Sequence, residues 1–97
     1  MGQVIVVTAS QVTQGPGLYL ISAPGLTITL ESFVPWAAGD LITIKDMTGS
    51  SPNITVVPSI VGGLTGTIDG LTSKTLTVAY EALEFRPWLG GNRWIVT

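Results

Sequence analysis

Eight short runs rich in β-branched and aromatic residues follow one another along the chain, and a glycine- or proline-bearing turn bounds each. They are QVIVVT (3–8), GLYLIS (17–22), LTITLES (26–32), LITIKD (41–46), NITVVP (53–58), TGTIDG (65–70), TLTVAYEALEFRP (75–87) and RWIVT (93–97), separated by GPG, APG, AAGD, TGSSPN, VGG, DG and GGN. No window keeps an apolar stripe at helical spacing long enough for a helix of ordinary length. The expected fold is therefore all-β: a compact antiparallel β-sandwich or barrel-like module of about eight or nine short strands, in a single domain over residues 1–97.

The runs differ in what must cover them. In LTITLES, Leu26, Ile28 and Leu30 share one face while Thr27, Thr29 and Glu31 share the other, the pattern of a strand with one buried and one wet face. QVIVVT and GLYLIS are apolar on both faces, Val4 and Val6 opposing Ile5 and Val7, and Leu18 and Leu20 opposing Tyr19 and Ile21. With no helix available as a second cover, such strands lie against another sheet or another subunit. Val4, Ile5, Val6 and Val7 are accordingly candidate interface residues.

LITIKD and NITVVP flank the polar segment KDMTGSSPN and read as the two arms of a hairpin. Asp69-Gly70 marks a tight turn with positive φ at its central residues. In TLTVAYEALEFRP the apolar alternation changes phase near Glu81-Ala82, which predicts two strands with a break between them. No internal repeat is apparent.

Charged residues make up only 10% of the 97, against 45% hydrophobic ones. Ordinary soluble domains are about a quarter charged, so part of the apolar surface is expected to lie against other chains. The net charge of −2, with Lys45, Lys74, Arg86 and Arg93 scattered, gives no footprint for nucleic acid. No run approaches the ~20 apolar residues of a membrane helix, and MGQVIVVTAS lacks the basic start of a secretory leader, so the expectation is a chain beginning at its own Met1 with no membrane partner. The sequon at Asn53 is discounted on the same ground.

There is no histidine and no cysteine. The usual bases, nucleophiles and metal ligands are missing, so the expectation is no enzyme, no cofactor and no metal. Glu81 and Glu84 are the closest acids, but residues three apart in a strand point to opposite faces, which does not suit a carboxylate pair acting on a glycosidic bond. Asp40, Asp46 and Asp69 each stand beside a turn, and turn chemistry accounts for them without Ca²⁺. Trp94, alternating with Val96, reads as a core plug. Trp36 and Trp88, each beside a proline, either seal loops, fill an interface or offer a sugar-stacking face.

Taken together, Ile44, Lys45, Asp46 and Gly49, then Ile54 and Pro58, then Ile68, Asp69 and Gly70, and finally Trp94 in GGNRWIVT resemble a structural module of tailed-bacteriophage virion proteins. The resemblance covers about the C-terminal 60 residues, and one departure from it is the extended VGGLTG before Thr67. It implies a structural, oligomerising role in a tail fibre, head fibre or capsid-associated protein, commonly as a homotrimer, with Asp46, Gly49, Asp69, Gly70 and Trp94 as structural motif residues. The compact size of the chain, without the long repetitive shaft expected of a fibre, narrows the expectation to a capsid decoration or cement protein that contacts the major capsid protein or other virion proteins. Its place would be the capsid surface or tail, after assembly in the host cytoplasm. The alternative is a fibre-tip module that binds a bacterial surface glycan through Trp36 or Trp88.

Overall fold

In the computed structural model the described residues are 3–31, 40–49, 53–61, 64–87 and 93–96. They carry strands β1 (Gln3–Val7), β2 (Gln11–Val12), β3 (Gly17–Ile21), β4 (Thr27–Leu30), β5 (Ile42–Asp46), β6 (Ile54–Pro58), β7 (Ile60–Val61), β8 (Leu64–Thr65), β9 (Thr67–Ile68), β10 (Lys74–Leu76), β11 (Ala82–Pro87) and β12 (Arg93–Val96). No helix occurs among them, so the all-β expectation holds. The expectation of eight or nine antiparallel strands does not: there are twelve among the described residues, several only two residues long, and the sheets are mixed.

From β1 to β6 the chain crosses from one sheet to the other at every strand. β1, β3 and β5 are neighbours in parallel within a six-stranded sheet, and β2, β4 and β6 are neighbours in parallel within a four-stranded one. Parallel strands need a crossover connection. Here each crossover is a strand of the opposite sheet, so the first half of the chain winds as a flattened coil of three rungs. The second half closes that coil. β11 pairs antiparallel with β5 and carries β12 and then β9 beyond it, while β10 pairs antiparallel with β6.

This winding overturns the hairpin expected at 41–58. β5 and β6 lie in different sheets, and their apolar alternations face each other across the core: Ile42 and Ile44 from one side, Ile54 and Val56 from the other, all fully buried. Two runs with apolar residues at every second position satisfy a sheet-to-sheet arch as well as a hairpin, because both place one face of each strand inside. The phase change in 75–87 has the same cause. β10 ends at Leu76 in one sheet and β11 begins at Ala82 in the other, so the break marks a change of sheet.

Like residues stack along the coil. Ile5, Tyr19 and Ile44 are register partners, then Leu83; Ile42 meets Phe85, which meets Val96. Fully burying one such side chain contributes about 1.5–3 kcal/mol, and Tyr19, Ile21, Ile28, Leu30, Phe85 and Trp94 are all essentially inaccessible. Trp94 is thus the core plug expected of it. The buried face of β4 is as expected at Ile28 and Leu30, but its other face is exposed only at Thr27: Thr29 and Glu31 are half-buried. One corner of the coil is pinned by Glu31, whose Oε1 accepts from the Thr13 hydroxyl (3.0 Å) and the Gly15 N–H (2.7 Å). The Tyr19 hydroxyl donates to the Gly15 carbonyl (2.7 Å) from inside the core, and burial raises its pKa.

Candidate interaction surface and the latched corner

Closure at one end leaves the other end open. β1 is the outer strand of its sheet and β2 the outer strand of the other, so both edges of the first rung have no neighbour among the described residues. Along β1, Gln3 and Val7 turn their main-chain groups toward β3. The Gln3 N–H donates to the Pro16 carbonyl (3.4 Å), and the Val7 carbonyl accepts from the Ser22 N–H (2.9 Å). Alternate residues of a strand direct these groups to opposite sides, so the N–H and C=O of Val4 and Val6 point outward from the sheet.

The side chains of β1 divide in the same alternation. Val7 is fully buried and Ile5 packs against the core, whereas Val4 is 68% and Val6 64% exposed. In the single chain, therefore, this strand is covered on one face only. Across the register Val4 lies beside Leu18 and Val6 beside Leu20, both half-buried, and the next strand supplies Thr43 and Lys45 at these positions. Four aliphatic side chains form a strip at the open end of the coil, with exposed Val12 on the other sheet's edge. Clustered exposed apolar side chains are where an interaction surface is sought first, which makes this end the candidate. Trp36 and Trp88, the remaining candidate interface residues, lie outside the described residues.

The opposite end is held by Asp46. This carboxylate closes β5 with no accessible surface, and it accepts four hydrogen bonds: from the Thr48 hydroxyl (2.7 Å), the Thr48 N–H (2.9 Å), the Gly49 N–H (3.2 Å) and the Tyr80 N–H (2.9 Å). Burial pushes its pKa up, but these donors, the Thr48 hydroxyl and the Tyr80 N–H first among them, outweigh that and bring it down to about 2. Lys45 works beside it, its ammonium donating to the Tyr80 carbonyl (2.8 Å) and standing 5.9 Å from the centre of the Tyr80 ring.

Glycine is favoured at position 49 on two counts. Its φ is +77°, and a β-carbon there would lie 2.5 Å from the Tyr80 Oη and 2.8 Å from its Cζ. Tyr80 itself has a φ of +60°, which its main-chain bonds to Asp46 and Lys45 hold in place. The Lys45-Asp46-x-x-Gly49 pattern is thus one half of a latch, and Tyr80 is the other half. Glu81 completes it, its carboxylate accepting from the N–H groups of Thr77 (3.1 Å) and Val78 (3.3 Å). Sequence reasoning missed Tyr80 altogether. The Asp-x-Thr spacing at 46–48 does signal a side-chain-capped turn, but nothing local announces a partner 34 residues away.

Asp69, Gly70 and Trp94 meet at a second corner. Ile68 and Leu71 exchange both main-chain hydrogen bonds (2.7 and 2.8 Å), and Asp69 and Gly70 between them have φ of +51° and +81°, as a type I′ turn demands. The Asp69 N–H donates to the Trp94 carbonyl (2.9 Å) and its Oδ1 accepts from the Val96 N–H (3.2 Å). The Asp-Gly turn and the closing tryptophan are therefore one unit. Beside it lies an open cleft of about 410 Å³ lined by Thr67, Asp69, Gly70, Arg93, Trp94 and Ile95.

No group of three acids, histidines or cysteines suited to a metal ion occurs among the described residues. Glu84 is exposed and lies 3.9 Å from Arg86, while Glu81 is engaged in its own turn. No protein-family model and no curated protein matches the chain.

Proposed function

We propose that this chain is a non-enzymatic structural protein of a tailed-bacteriophage particle, a decoration or cement protein that sits on the capsid as a homo-oligomer and stabilises the head. One observation carries the reading most directly: an uncharged edge strand with Val4 and Val6 exposed, in a chain with too few charged residues to coat an isolated domain. The latched corner agrees with it, because rigid closure by main-chain contacts at the Asp46 turn is what a scaffold needs and a reaction does not. The resemblance of the 41–97 region to phage structural modules supplies the virion setting and the three-fold assembly. In a particle reconstruction the chain is expected as repeated density on the capsid lattice, with the first rung against a neighbouring molecule. Density confined to the tail tip would overturn the capsid placement.

A second reading has its own observation. The cleft beside Asp69 and Arg93 offers both signs of charge and hydroxyl-bearing Thr67, features that suit a glycan and would fit a fibre-tip module. Binding of cell-wall polysaccharide, lost on Asp69→Ala while the fold is kept, would favour it; a blank glycan array would remove it.

A further inference from the structure

We propose that the edge of β1 is covered by the β1 edge of a second copy of this chain, in an antiparallel pairing whose two-fold axis passes by Ile5. This rests on the reading of β1 as a contact surface, but not on where in a particle the protein sits.

The coil itself restricts the options. The outer strands differ at the two ends: β1 and β2 begin the coil with no neighbour on their outer sides among the described residues, while beyond β5 and β6 the chain adds β11, β12, β9 and β10 and finishes in the outer strands β9 and β10, of only two and three residues. Head-to-tail stacking would set the five residues of β1 against an edge of two or three residues, whereas a second β1 matches its length. A copy that covers this edge along its full length therefore does so with its own β1, which is an isologous contact.

Hydrogen-bond phase then selects the register. The outward main-chain groups of β1 belong to Val4 and Val6, as the inward bonds of Gln3 and Val7 require. An antiparallel partner is bonded through residues that face each other with these groups. Setting Val4 opposite Val6 of the second copy, and Ile5 opposite Ile5, gives each outward N–H of one strand an outward carbonyl of the other. The sequence permits this because QVIVV is nearly palindromic about Ile5 and carries no charge, so neither like-charge repulsion nor mismatched size opposes it. Natural edges are usually blocked by a lysine, a proline or a bulge, and this strand contains none of these. In the paired state Val4, Val6, Leu18 and Leu20 of both copies form one continuous strip across the joined sheets. The contact is two-fold, so assemblies built through it are even-numbered: a dimer, or paired trimers where a three-fold contact elsewhere also operates.

Native cysteine is absent, which allows a clean test. Residues opposite each other in a bonded antiparallel pair have Cα atoms about 5.5 Å apart, within disulfide reach. Equivalent residues two positions off are about 8 Å apart, beyond it. Full-length Val4→Cys and Val6→Cys chains are purified, then oxidised separately and as an equimolar mixture. The mixture is expected to give a disulfide-linked heterodimer and each single variant alone little or none. Absence of the heterodimer, or equal cross-linking of Val4→Cys with itself, overturns the register. Val6→Pro adds a second readout: it removes an outward N–H but none of the bonds to β3, so it should weaken association at least roughly tenfold while the isolated chain keeps its fold. A wild type that scatters light as a monomer or a lone trimer at its highest soluble concentration overturns the proposal. The cross-links can succeed whether or not the protein is found on a capsid.

Discussion

The two ends of the coil are built from the same kind of strand and finished in opposite ways. At the β5 end a buried carboxylate gathers the N–H groups of Thr48, Gly49 and Tyr80, and two antiparallel strands cover the last rung. At the β1 end the rung stops with outward main-chain groups and exposed valines. The contrast teaches that strands of the same chain cover one end and a buried carboxylate fixes its turn, while the outer strand of the other end, whose corner Glu31 also pins, keeps a free edge among the described residues. If the proposed pairing of β1 operates, folding and association fall to different ends, and each can be disturbed without the other.

The largest effect should come from Asp46→Ala. Removing the acceptor leaves three main-chain N–H groups and a hydroxyl without their partner, at a cost of about 3 kcal/mol, since each unsatisfied group costs about 1–3 kcal/mol and turn groups regain some water. In a domain of this size that corresponds to a fall of roughly 15 °C in Tm. Asp46→Asn keeps one acceptor oxygen and should lose less. Thermal unfolding followed by circular dichroism measures both, and equal Tm for wild type and Asp46→Ala would show that the closed end does not depend on the latch.

Gly49→Ala should follow, at about 2 kcal/mol, because a positive φ is combined with a collision against the Tyr80 ring. Tyr80 is 58% exposed and its ring is the end of a flexible side chain, so the clash is partly relieved. Gly70→Ala provides the comparison: its φ is also positive, yet nothing lies within 4 Å of the added carbon, and the loss should be about 1 kcal/mol. A double variant Gly49→Ala with Tyr80→Gly should destabilise by clearly less than the sum of its parts. Strict additivity would mean that the ring and the glycine are not coupled.

Acidification probes the same latch without a mutation. The folded pKa of Asp46 is depressed to about 2 against an ordinary aspartate value near 3.9. A depressed folded pKa contributes stability that is fully present above the unfolded value and is lost as the pH falls through the folded one. The latch should therefore hold at pH 5 and above and fade between about pH 4 and pH 2, removing up to about 2 kcal/mol. Urea unfolding across that range, with wild type and Asp46→Asn side by side, isolates it: the wild type should show the extra acid sensitivity and the variant should not.

What could be read from the sequence follows the range of the interactions. The strands, the Asp69-Gly70 turn and the burial of Trp94 were legible, because alternation and turn chemistry act within a few residues. The arch at 41–58 was not, since an apolar face at every second position does not tell a strand whether its partner lies beside it or across the core. The coil was hidden for a related reason. Its rungs repeat as pairings, Val4 with Leu18 and Val6 with Leu20, and not as similar words at a fixed spacing. At the candidate site Asp46 and Gly49 stood out through a motif, but Tyr80 depends on a contact that exists only once β10 and β11 have changed sheets. The alternation of Val4 to Val7 was visible, whereas the exposure of one half of it needed the position of β1 at the edge.

The smallest effect on folding is expected where the effect on assembly is greatest, at Val6→Lys. The side chain is already 64% exposed in the single chain, so a lysine there can keep its ammonium in water and its stem along Leu20. Folding stability should change by less than about 0.5 kcal/mol, the usual range for a surface substitution. Against another molecule the same ammonium must lose hydration without gaining a partner, which costs several kcal/mol for each copy that is buried. Ile5→Lys differs because its side chain packs toward the core, so it should damage folding as well as assembly. Thr29→Lys, on the half-buried outer face of β4, should leave mass and Tm close to wild type. Light scattering and thermal unfolding on the three variants separate these outcomes. If Val6→Lys lowers Tm in the isolated chain as much as Ile5→Lys does, the open end is part of the folding unit after all, and the division of labour between the two ends fails.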